Sequence, residues 1–129
     1  MRFLLALCVS TGVASACTDI ELPFKQIKRN SEMIFRGTVT AQTFTSDGSQ
    51  TVAFRVSRVW KGRVSEALEI PVNPMTGCVN PFRSKVEIGT EFLIFAWKAF
   101  DGHEYAVYAI HTNYADQKLQ QLGSGRKPK

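Results

Sequence analysis

The residues best placed for chemistry stand at positions 17 and 18. Residues 2–16 carry a secretory pattern: Arg2, an apolar run from Phe3 to Val9, then the small-residue sequence Ala14-Ser15-Ala16. Cleavage after Ala16 would leave Cys17 as the first residue with a free α-amino group, followed at once by Thr18. A terminal amine, the adjacent carbonyl and a short hydroxyl side chain form a compact chelating unit. α-Amines titrate near pH 8, so a useful neutral fraction exists at physiological pH to donate to a metal ion. Two other readings of the same stretch stay open. Ala14-Ser15-Ala16-Cys17 can be a lipobox, with Cys17 lipidated, its amine blocked and the product tethered to a membrane; or the segment is an uncleaved anchor.

The signal peptide, residues 1–16, also removes Cys8, so two of the three cysteines remain, Cys17 and Cys78. In an exported chain two thiols most simply form one disulfide. That bond closes a loop of 61 residues, worth roughly 4 kcal/mol in the chain-entropy picture, and ties the otherwise fraying amino terminus to the fold. The 113 residues left after cleavage suit one domain. The formal charge is +5, with basic residues gathered at Lys25, Lys28 and Arg29 and again at Arg55, Arg58, Lys61 and Arg63. Such groups can hold acidic polysaccharide or nucleic acid, or simply form a solvated face; export argues against nucleic acid. Beyond the signal no apolar stretch approaches the length of a membrane span.

The elements that must position these residues follow from periodicity. Residues 22–29 predict a short helix with Pro23 in its first turn. Residues 33–44 alternate, with Met33, Phe35, Gly37, Val39 and Ala41 on one face and Arg36, Thr38, Thr40 and Gln42 on the other, which is a half-buried strand. Asp47-Gly48 turns the chain into a second strand over 51–60, and Leu68, Ile70 and Val72 mark a third. The stretch 73–89, containing Cys78, is irregular. Residues 92–97 are apolar throughout, as a strand covered on both faces requires. A fifth strand spans 103–110, and Tyr114, Ala115, Lys118, Leu119 and Leu122 trace a closing helix ended by Gly123. The basic tail 124–129 is expected to be disordered. An all-β domain over 17–123 with flanking helices results, most economically a five-stranded Greek-key barrel of the OB-fold type; a seven-stranded sandwich lacks enough strand runs.

The chain resembles the tissue inhibitors of metalloproteinases, whose inhibitory domain is a netrin-type OB-fold. The resemblance is carried by Cys17-Thr18, Asn30-Ser31-Glu32, Ile34-Phe35-Arg36-Gly37, Phe54-Arg55-Val56 running into Val59-Trp60-Lys61-Gly62, Cys78, and the block from Gly89 to Ala96. It implies a TIMP-like inhibitor of a zinc metalloprotease. In that reading the Cys17 amine and carbonyl chelate the protease's zinc, Thr18 enters the adjacent specificity pocket, and a Cys17–Cys78 bond braces the wedge. Where the family places further cysteines this chain has Asp19, Arg29 and, near the fifth strand's end, His111. The wedge should therefore be looser, and the Asp19 carboxylate opposes the protease's own acidic group. The resemblance also admits a non-inhibitory binding module that uses the barrel face, or Arg55, Arg58, Lys61 and Arg63, to hold an exported protein or an acidic polysaccharide.

Other chemistry finds no support. No His-Glu-x-x-His, Gly-x-Ser-x-Gly or phosphate-cradling glycine pattern occurs, and the chain calls for no cofactor. His103 and His111 are too few for a zinc site of its own, and Trp60 and Trp97 read as core or rim residues.

Overall fold

The computed structural model describes residues 23–73, 80–99 and 102–129. Five strands, β1 (Met33–Phe44), β2 (Gln50–Lys61), β3 (Ala67–Val72), β4 (Glu91–Lys98) and β5 (Tyr105–His111), close into a barrel in the order β1-β2-β3-β5-β4. Helix α1 (Phe24–Asn30) precedes β1 and helix α2 (Asp116–Leu122) follows β5. All neighbouring strands run antiparallel except β3 and β5, which touch in parallel through one register pair, Val72 and Tyr105. The expected all-β architecture with flanking helices is present, with strand ends shifted by a residue or two. Pro23 lies just outside α1, in extended conformation, rather than in its first turn.

Two cores result. Inside the barrel, Phe35, Val39, Val52, Phe54, Val56, Val72, Phe92 and Ile94 pack together. Phe82, on a 3₁₀ turn at Pro81–Arg83, enters this core and is fully buried. Edge-to-face contacts run from Phe35 to Phe54 (5.2 Å), on to Phe82 (5.9 Å) and then to Phe92 (5.4 Å). Each such pair adds about 0.5–1.5 kcal/mol beyond area burial. Outside the barrel, Ile34, Leu93 and Phe95 lie under α1 and α2, against Ile27, Phe24, Trp60 and Leu119. The doubly covered strand expected at 92–97 is thus β4, with Phe92, Ile94 and Ala96 in the inner core and Leu93 and Phe95 in the outer one.

Three register shifts along the β1–β2 ladder reset the alternation. Val39 pairs with Phe54 but Ala41 with Ala53, so Thr40 is an extra residue. The bulge reverses the faces beyond it. Ala41, expected inside, is exposed. Gln42, expected outside, instead donates from Nε2 to Gln50 Oε1 (2.9 Å) and to the Ser84 carbonyl (3.0 Å), and accepts from the Val86 amide (2.7 Å). Gln50, almost fully buried, completes the set by donating to the Phe82 carbonyl at 2.6 Å. This network fastens the segment carrying Phe82 onto the hairpin. At the hairpin tip the Ser49 hydroxyl, then Thr45, hold the Asp47 carboxyl down at about 2.

The tail 124–129, expected to be disordered, is tied to the barrel. Arg126 exchanges two 2.8 Å backbone hydrogen bonds with Val59, and Lys129 bonds to Val64 (3.1 Å) and Glu66 (3.2 Å). β3 leaves β2 after the Arg55–Ala67 pair, so the far half of β2 has an open edge. Unpaired strand groups there recruit the tail, which composition alone could not reveal. Gly62 makes the adjoining corner: its φ is +89°, and a Cβ there would sit 2.6 Å from the Glu32 carbonyl.

Phe82→Ala should cost about 3–5 kcal/mol, because it opens a cavity at the centre of the aromatic chain. Chemical denaturation of the two proteins checks this; a loss below about 1 kcal/mol would remove Phe82 from the core role given to it.

Candidate functional site

Cys17, Thr18, Cys78 and the expected signal segment 1–16 lie outside the described residues, but the described residues that flank them are anchored. The loop carrying Cys78 leaves the barrel at Asn73 and returns at Asn80. Asn80, nearly fully buried, donates from Nδ2 to the Asn73 carbonyl (3.3 Å) and accepts from the Phe82 amide (2.9 Å), clamping the two ends together. The Asn73 amide in turn bonds the Tyr105 carbonyl at 2.9 Å, next to the parallel β3–β5 seam. On the other side, α1 is fixed by Phe24 packing edge-on to Phe95 at 5.6 Å. The seven peptide steps from Cys17 to Phe24 can span at most about 25 Å, comparable to the width of a small domain.

The second basic group does not form one patch. Arg55 and Arg58 project from the outer face of β2, and Arg63 follows the Gly62 corner; all three are exposed and none has an ion-pair or hydrogen-bond partner among the described residues. Lys61 points elsewhere. Its ammonium donates to the carbonyls of Lys28 (2.8 Å) and Arg29 (3.1 Å), while the Ser31 hydroxyl donates to that of Ile27 (2.6 Å). The carbonyls at the end of α1, which a seven-residue helix would otherwise leave to solvent, are thereby satisfied.

Lys61 also joins the first basic group to a groove. Lys25, Lys28, Arg29, Ile34, Trp60, Lys61 and Leu122 line an open depression of about 450 Å3 between α1, the end of β2 and the end of α2. Lys25, Lys28 and Arg29 stand at spacings of three and four residues, so one turn of helix presents them together. That spacing is legible in the sequence; the apolar floor opposite is not, because Trp60 and Leu122 come from elements far along the chain. Among the described residues no carboxylate lines the groove. The Trp60 indole donates to the Gly123 carbonyl (2.9 Å), and Gly125 lies so close that a Cβ there would be 2.9 Å from the ring. The tail thus fixes the orientation of the Trp60 ring.

A third cluster involves the block around Glu91. Arg36 Nη2 and Glu91 Oε1 form an ion pair at 2.9 Å, and the Thr112 hydroxyl donates to the same oxygen at 3.0 Å. Arg36 stands directly across from Arg58 in the β1–β2 register, where like charges oppose one another, so Glu91 neutralises a cross-strand conflict. The buried Arg36 Nε has no hydrogen-bond partner among the described residues. The hydrogen bond from Arg36 holds the Glu91 carboxyl below its ordinary value near 4.5, against the opposing effect of burial, with smaller help from Thr112, from the charge of Arg36 and from His111. His111 itself packs between Phe92 (5.7 Å) and Tyr114 (5.9 Å), and its Nδ1 accepts from the Asn113 amide. Among the described residues no group of three His, Cys, Asp or Glu side chains is arranged to hold a metal ion, and no helix is long and apolar enough to cross a membrane.

A carboxyl depressed in the folded state stabilises fully above its unfolded value and loses that contribution as pH falls through the folded value. Glu91→Gln should therefore lower stability by about 0.5–1 kcal/mol at neutral pH, the scale of a part-exposed pair. The difference should shrink below about pH 4.5. Unfolding curves of both proteins between pH 3 and 7 measure it, and a difference that does not change with pH would contradict the ion-pair account.

No family model matches this chain, and neither does any curated protein.

Proposed function

We propose that the chain is an exported TIMP-like protein built on an OB-type, netrin-like barrel, and that it inhibits a zinc metalloprotease through its amino terminus. The carrying observation is the sequence Ala14-Ser15-Ala16-Cys17-Thr18, which sets a cysteine amine and a short hydroxyl residue at the head of the processed chain. Two structural features support the reading. The closed ring β1-β2-β3-β5-β4, with one parallel step, supports an OB-type reading of the barrel. The hydrogen bond between Asn80 and Asn73 ties together the residues that flank the segment 74–79, so a Cys17–Cys78 bond would attach the wedge to a segment held at both ends. In this mechanism the Cys17 amine and carbonyl take the open coordination position of the protease's zinc, where its water would sit, and Thr18 fills the neighbouring pocket. Pre-ordering by the disulfide lowers the entropic cost of docking.

One added alanine ahead of Cys17 displaces the amine from the metal and should weaken inhibition of a susceptible metalloprotease by at least about a hundredfold, while leaving the melting temperature unchanged. Equal inhibition by the extended and native proteins would refute the mechanism. Mass analysis of the exported protein supplies the prior condition: an unmodified Cys17 terminus and no free thiols.

A second reading, a binding surface for acidic polysaccharide, is favoured by the exposed and unpartnered Arg55, Arg58 and Arg63. It expects salt-sensitive retention on immobilised heparin. Elution at the salt concentration of an uncharged control protein would dismiss it.

A further inference from the structure

We infer that the polyanion contact is centred on the groove between α1 and Trp60, and that its ligand is a sulfated or carboxylated sugar chain. This rests on the polysaccharide reading above and relocates its site. Exposed arginines on a strand attract any anion, but they offer it only charge. The groove offers more. Lys25, Lys28 and Arg29 form a cationic rim on one helical face, and Ile34, Trp60 and Leu122 provide an apolar floor. Lys61 adds a fourth charge; two of its three ammonium protons are given to α1 carbonyls, and the third remains for a ligand.

The shape and lining select among anions. Among the described residues no carboxylate stands at the rim, so none of them must be displaced first. The depression is open, and the apolar floor is shallow because Ile34 is almost fully buried. An acyl chain would therefore leave most of its surface in water. A pyranose ring has the matching character: its C–H face packs on an indole while its sulfate or carboxylate groups reach outward to cations. The indole is already held, since its N–H is bonded to Gly123 and the Gly125 backbone abuts the ring. Little ordering cost then falls on the protein when a ligand docks.

The test titrates a heparin-derived hexasaccharide into the full processed protein, in a Trp97→Phe background so that emission reports Trp60. Native protein should bind with a change in Trp60 emission, and the affinity should fall as salt is raised. The combined Lys25→Gln, Lys28→Gln, Arg29→Gln variant should lose at least about tenfold in affinity and retain native circular dichroism. A combined Arg55→Gln, Arg58→Gln variant should lose less than about twofold. If the strand variant loses binding and the helix variant keeps it, the groove assignment falls and the polysaccharide reading stands. Losses that merely track the number of charges removed, with Trp60 emission unmoved, also overturn the groove. No binding by native protein at low salt overturns the polysaccharide reading itself.

Discussion

Closing a five-stranded sheet is the constraint on which this molecule depends. β1 is shared between β2 and β4, and two antiparallel ladders follow easily from that. The remaining gap, between β3 and β5, is bridged through one parallel register pair at Val72 and Tyr105, extended by the hydrogen bond from Asn73 to Tyr105. So short a seam contributes little by its own hydrogen bonds. Closure is held instead by what fills the ring, above all the aromatic sequence Phe35, Phe54, Phe82 and Phe92. Phe82 comes from an irregular segment, so the barrel is completed by a residue outside its strands.

Polar groups then do the positioning. Gln42 and Gln50 hold the segment that carries Phe82, and Asn80 clamps the ends of the loop that carries Cys78. Both use side-chain amides, which donate and accept at once and so can satisfy irregular backbone where no ladder exists. Lys61, a donor only, satisfies the carbonyls at the end of α1. These buried or half-buried contacts explain why Asn73 and Asn80, which flank the segment 74–79, are held beside the seam.

The surface divides by charge. Around β4, Arg36 is neutralised by Glu91. Around α1 and the far half of β2, the cations in the groove have no acidic neighbour among the described residues lining it. The tail brings Arg126 against Val59, and the Arg126 side chain to the Gly62 carbonyl, so it adds charge on the same strand. The proposed zinc-directed wedge and the proposed polyanion groove depend on different residues, and the two can operate in one molecule.

The order and kind of the elements were readable from the chain itself. Alternation over 33–44, the Asp47-Gly48 turn and the continuous apolar run at 92–97 each reflect a local requirement, either backbone geometry or burial on one or both faces. The pairing of charge with helical spacing at Lys25, Lys28 and Arg29 was also readable. What the chain could not disclose depends on partners distant in sequence. Bulges at Thr40, Ser57 and Trp60 arise where ladders must bend to close, and they decide that Gln42 faces inward and Trp60 outward to the tail. The tail's order comes from an edge that β3 leaves open, and the groove's floor from residues brought together by α2 and β2. Local sequence sets what each segment can bury; only closure of the ring decides which open edges and faces remain for the others to cover.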